Sequence, residues 1–234
     1  MNETGSYYTI ASDFKSQFVE MFYSGKYPMQ KLQEKIEVIR GVSYKPADIS
    51  DTLSSAESII LRSNNIDNGH INFDDLVFVN AERVSATQLL SKGDIVMCGS
   101  NGSKNLVGKA AMIEQNPSHN TSFGAFCLGI RCEETLSPKY LATYFQTSKY
   151  REVIESLGSG SNILNIKPDH IYNLEIPIPP MDLQQQFVRI AEQADKSAFE
   201  LKKSIAAKDG VIKSMVNEKG GNKIKNILLL HFNS

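Results

Sequence analysis

The best candidates for chemistry in this sequence lie between Gly99 and Lys109. Ser100-Asn101-Gly102-Ser103-Lys104-Asn105 gathers hydroxyl, amide and ammonium groups into one short loop. These are the groups that hold phosphate oxygens and reach the edges of bases. From Ser91 to Lys109, Lys92, Lys104 and Lys109 face one acidic residue, Asp94, a local basic bias in a chain whose net charge is −1. A solvated turn would have the same composition, so the loop alone does not decide its use. A second group, Arg62, Asn64 and Asn65, follows a β-like run, but the neighbouring Asp67, Asp74 and Asp75 would repel phosphate. Lys45 is a further, isolated donor.

Bond-making chemistry fails on the residues present, and no cofactor is expected. A methyltransferase that acts on base amino groups needs an Asp/Asn-Pro-Pro-aromatic turn, whereas Ile178-Pro179-Pro180-Met181 lacks both the polar residue and the aromatic. Gly99-Ser100-Asn101-Gly102-Ser103-Lys104 does not meet the spacing of a phosphate-cradling loop. Gly158-Ser159-Gly160 is not a nucleophile elbow. Glu200-Leu201-Lys202, the best fragment of a metal nuclease, falls on a helical pattern with its charges toward solvent. The four histidines are scattered, and Cys98, Cys127 and Cys132 have neither metal-like spacing nor an even count.

The elements that must position these groups are legible from periodicity. Ala11, Phe14, Phe18 and Met21 recur at three- and four-residue steps, which predicts an amphipathic helix from Ile10 to Tyr23. From Ile36 to Ile130 short apolar stretches alternate with Gly, Asn, Asp and Ser. Strands are expected at Ile36–Tyr44, Ser58–Asn64, Leu76–Asn80, Asp94–Gly99, Leu106–Glu114 and Ala125–Arg131. So many short strands suggest a strongly twisted, partly closed sheet. Ser137-Pro138 opens a helical pattern through about Leu157, where Tyr140, Leu141, Tyr144, Phe145 and Tyr150 make an aromatic stripe suited to core packing. After a Gly/Ser loop, a Pro168-initiated helical turn and a strand over Leu174–Ile178 are expected.

The clearest physical signal follows the prolines at 177, 179 and 180. Phe187, Ala191, Ala194, Ala198, Leu201, Ile205, Ile212 and Met215 lie on alternating four- and three-residue steps, interrupted at one position by Lys208. This is a heptad seam, the pattern of a helix that buries one stripe against another helix. Leu183 to Val216 as one helix would be about 50 Å long. A helix lying across its own sheet is the plain alternative. Gly220-Gly221 are expected to end it.

Gly158 to Phe187 reads GSGSNILNIKPDHIYNLEIPIPPMDLQQQF. This stretch resembles the end of a target-recognition domain in the specificity subunits of type I restriction-modification enzymes. The matching positions are Gly158, Gly160, Asn162, Ile163, Leu174, Ile176, Pro177, Pro179, Pro180 and Gln184. Lys92–Val96 with Gly108–Ala111 resembles the same domain's central hairpin, and Gly41 with Ile66–Ile71 its opening. Phe14–Phe22 resembles the exit of a conserved helix into a recognition domain.

The resemblance implies an α+β fold, with a recognition domain of twisted, partly closed β-sheet and peripheral helices, and a long C-terminal helix that forms a coiled coil. The expected divisions are a conserved-region helix at 1–26, the recognition domain at 27–181, the long helix at 182–219 and a tail at 220–234. It implies a non-catalytic subunit that reads one half of a split DNA target and docks methyltransferase and restriction subunits. Family members usually carry two recognition domains, whereas one is present here. Half-length forms pair two copies through their long helices, so a homodimer reading an inverted repeat is expected. The near-neutral charge counts mildly against solitary, non-specific DNA binding. A protein-interaction scaffold or a truncated specificity fragment is the alternative. With no apolar leader and no run long enough for a membrane span, the expected location is the cytoplasm.

Overall fold

A computed structural model describes residues 27–157 and 165–231, with side chains described as far as 208 except at 198 and 202. The helix expected at 1–26 and the Gly/Ser segment at 158–164 lie outside the described residues, as do the side chains of Ala198, Ile212 and Met215. The chain divides into two units, one holding the described residues up to Ala191 and the other the helix from Glu192 onward.

The first unit is built on β8 (Ile95–Cys98), whose four residues are all buried. A strand apolar on both faces must be covered on both, and the chain supplies a different cover for each. Ile95 and Met97 point into a core shared with the helices, while Val96 and Cys98 point into a second core shared with another sheet. Around β8 a four-stranded antiparallel sheet runs in the order β2-β11-β8-β9, with β2 at Ile36–Arg40, β9 at Ala110–Met112 and β11 at Cys127–Cys132. The second sheet has the order β10-β4-β7-β3, from Thr121–Phe123, Glu57–Leu61, Val77–Asn80 and Ile49–Ser50, and its β10 and β4 are parallel. Two ribbons complete the strands: β1 (Met29–Lys31) with β12 (Glu175–Pro177), and β5 (Ile66–Asp67) with β6 (His70–Ile71).

The α+β class stands, but the expectation of a partly closed sheet does not. The strands are shared between two open sheets, and the chain crosses from one to the other in the turn between β10 and β11. Close backbone approach holds this corner. The Val42 amide donates to the Phe123 carbonyl at 2.8 Å. A Cβ on Gly41 would lie 2.1 Å from the Gly124 carbonyl oxygen, so no side chain fits there. Gly129 similarly leaves room for the Phe123 ring, 2.4 Å from where its Cβ would be.

The expected helix from 138 to 157 is two helices, α1 (Pro138–Tyr144) and α2 (Ser148–Leu157). Thr147 causes the break: its hydroxyl donates to the Tyr144 carbonyl at 2.7 Å and accepts from the Tyr150 amide at 3.2 Å, restarting the helix as a cap does. The aromatic stripe is core. Tyr140, Tyr144 and Tyr150 are fully buried, and the hydroxyls of Tyr140 and Tyr150 donate to the carbonyls of Pro177 and Gly108 at 2.7 and 2.9 Å. The turn of helix started by Pro168 is α3 (Pro168–Tyr172).

Helix α4 (Met181–His231) begins in the core. Gln184 is fully buried; its carbonyl accepts from the Ser137 amide at 2.8 Å, and its amide donates to Thr135 and Pro179 carbonyls at 3.0 and 2.9 Å. Phe187 meets Tyr140 edge-on at 5.2 Å, and Ala191 is buried. In the second unit the helix continues through Gly210 and through Gly220-Gly221, which were expected to end it. Each glycine costs a helix about 1 kcal/mol, a bias that strong helix formers on both sides can offset.

Candidate nucleic-acid interface

Strand register brings most of the candidate residues to one end of the first unit. Arg40 pairs with Leu128, Cys98 with Cys127, and Leu61 with Phe123. The ends of β2, β4, β8 and β10 therefore lie together, beside the start of β11. Segments 41–45, 62–65, 99–109 and 124–126 all emerge there.

The loop between β8 and β9 is anchored at its base and open at its tip. The Gly108 amide donates to the Cys98 carbonyl and the Cys98 amide to the Lys109 carbonyl, each at 2.8 Å. Gly108 needs its positive φ of 84°, and a Cβ there would crowd Ile154 and the Tyr150 hydroxyl. Asn101 organises the tip. Its carbonyl oxygen accepts from the Ser103 amide at 2.9 Å, and its amide donates to the Ser63 hydroxyl at 2.8 Å. Ser103, Lys104 and Asn105 are exposed, whereas Ser100, Asn101 and Lys109 are half-buried. On its other flank the loop meets the residue just beyond the Gly/Ser segment. Ser100 bridges Asn165, and the Ile166 amide donates to the Gly99 carbonyl at 2.8 Å.

The group after β4 behaves differently. Arg62 forms an ion pair with Asp75 at 2.8 Å, and the Asn64 amide donates to the same carboxylate at 2.8 Å. Asn65 is fully buried; it accepts from the Arg62 amide and donates to the Asn72 and Asp74 carbonyls. These bonds use both of its amide hydrogens and engage its oxygen inside the loop, so Asn65 shapes the loop. Lys45 is exposed at the start of a turn in which its backbone amide donates to Asp48 at 2.7 Å. That bond, with Arg83 beside it, holds the Asp48 carboxyl below the usual range.

Sequence reasoning missed three members of this surface: Ser63, the partner of Asn101; Asn165; and Phe126, which was read as part of a strand but stands in the turn before it, 71% exposed. Burial pushes the Cys98 thiol up to about 11 and Cys127 up to about 12, which keeps both protonated and unreactive near neutrality. Among the described residues no cluster of three His, Cys, Asp or Glu could hold a metal, and no helix is long and apolar enough to cross a membrane.

The expected helix seam divides. Phe187 and Ala191 belong to the core of the first unit. From there on, Ala194 and Ile205 are half-buried, and Leu201 is 52% exposed.

Comparison with known proteins bears on the family and the fold. A family model described as the type I restriction modification DNA specificity domain matches residues 57–208. The specificity subunit of the type I restriction enzyme StySPI from Salmonella potsdam is 44% identical over 158 residues, covering 68% of this chain and 33% of the relative. That of EcoKI from Escherichia coli K12 is 41% identical over the same length. The chain thus spans about a third of the curated relatives it matches. Among solved structures, a chain from a study of complex assembly and conformational transition of the type I R-M system superposes with a TM-score of 0.63 at 14% identity, covering 91% of this chain and 52% of that one. The HsdS subunit from Thermoanaerobacter tengcongensis gives 0.57 at 13% identity, covering 86% and 49%.

Proposed function

The chain belongs to the type I restriction modification DNA specificity domain family, and from that premise we propose that it is a non-catalytic subunit that reads DNA sequence for a type I restriction-modification system. The observation that carries this reading is the convergence of four segments at one end of the two sheets, with Ser103, Lys104 and Asn105 exposed on a loop whose base is fixed. A fixed loop of donors suits base readout because little order has to be gained on binding. Ser100, Asn101 and Lys109 support that tip. Arg62 and Asn64 enter as an ion-paired wall beside it, and Lys45 as a backbone contact.

The unit reads one half of a split double-stranded target in the cytoplasm. Helix α4 beyond Ala191 is the spacer: it pairs with the same helix of a second copy as a coiled coil and docks the methyltransferase, and through it the restriction subunit. Leu201, 52% exposed on the expected seam, supports the pairing, because an apolar side chain at that position of a long helix gains from being covered. The test is to co-express the chain with the methyltransferase subunit of its system and map methylated bases across the host genome. A split inverted-repeat motif is the expected result. An asymmetric motif would mean pairing with a different recognition domain, and a formed complex with no motif would overturn the reading.

A further inference from the structure

Phe126 is the most exposed large apolar side chain among the described residues, at 71%. Burial of such a ring would stabilise the fold, yet this one is held in water. Its backbone has no freedom to withdraw it. The Phe126 carbonyl accepts two amides, from Gly99 at 2.8 Å and Ser100 at 3.0 Å. The Cys127 amide closes the turn onto the Gly124 carbonyl at 2.8 Å, and the Gly124 amide donates to the Leu61 carbonyl at 2.9 Å. The turn is thus tied both to β4 and to the first two residues of the candidate reading loop.

We propose that Phe126 is a specificity-determining residue that contacts the 5-methyl group of a thymine in the major groove; this rests on the DNA-reading function proposed above. Amide donors such as that of Asn105 read base edges in the major groove, the groove in which thymine presents its methyl group. A ring fixed through its own carbonyl to the root of that loop enters the same groove with it. Phe73, 52% exposed, is a poorer reader because it is followed by Asp74 and Asp75, whose carboxylates repel phosphate. A wedge between base steps is the other known use of such a ring, and it is made from the minor groove.

The test uses the full chain and a randomised duplex pool from which it selects its sequence. Each thymine of the selected sequence is then replaced singly by deoxyuridine, which lacks only the methyl group. One replacement should weaken binding of the unaltered protein about fourfold, the size expected for one methyl group returned to water. F126A should bind the thymine duplex roughly tenfold more weakly, accept other bases at that position and ignore the uracil replacement. Its thermal unfolding should match that of the unaltered protein, since the ring is exposed. Indifference of the unaltered protein to every uracil, or an unchanged sequence preference in F126A, overturns the proposal. Loss of DNA bending in F126A without uracil sensitivity overturns it in favour of a wedge. If the unaltered protein selects no sequence at all, the DNA-reading function itself falls, and this inference with it.

Discussion

The side-chain amide of Asn101 makes a local turn with its oxygen and a long-range tie to Ser63 with its nitrogen. Polar residues that look alike in the sequence are separated by such partners. Asn65 is consumed inside its own loop and Arg62 is ion-paired with Asp75, while Lys104 differs from both in its exposure, a cation at the surface of the loop tip. Lys104 should therefore act on phosphate and not on bases. Lys104→Ala is expected to weaken binding to all duplexes alike and to lower the slope of log affinity against log salt by about one, with the selected motif unchanged. A titration of affinity at several salt concentrations checks this; an unaltered slope would remove Lys104 from the phosphate contacts.

At the scale of elements, the first turn of α4 is fixed by hydrogen bonds as much as by apolar packing. Gln184 joins the segment before α1, the proline run and the helix through three bonds made by a side chain that is itself fully buried. Truncation to alanine would leave one amide and two carbonyls unpaired. Gln184→Ala should lose about 2–3 kcal/mol of stability in urea unfolding. A loss below about 0.5 kcal/mol would mean that water replaces the side chain. Strands β2, β4, β7, β8, β9, β11 and β12 were legible because their apolar runs are long enough to register. Strand β10, Thr121-Ser122-Phe123, was not, since two of its three residues are polar and its burial comes from neighbours. The two-residue strands β3, β5 and β6 exist only through their pairing partners, which no local pattern announces.

For the whole molecule, the question is what covers the apolar stripe of α4 beyond the recognition unit. Two of the eight expected seam positions already serve the core, so the assembly proposed for this helix rests on positions from Ala194 onward. Replacing Leu201 and Ile205 together by Asp should reduce the proposed dimer to the monomer mass in light scattering while leaving the first unit folded. An unchanged dimer mass would mean that the copies associate elsewhere.

The sequence by itself determined the class of fold, most of the strands, the aromatic core stripe, the long helix and the polar composition of the loop between β8 and β9. Each of these is written in short-range periodicity, turn chemistry or a motif of adjacent residues. Only the tertiary structure decided that the strands form two open sheets, that Phe187 and Ala191 face inward, and that Asn65 is buried while Phe126 is not. Those outcomes depend on which face of one element meets another. The bond from Asn101 to Ser63 spans 38 residues, and it exists because the ends of β4 and β8 meet at one end of the molecule. Register between distant strands is set by packing of the whole core, and no window of neighbouring residues contains that information.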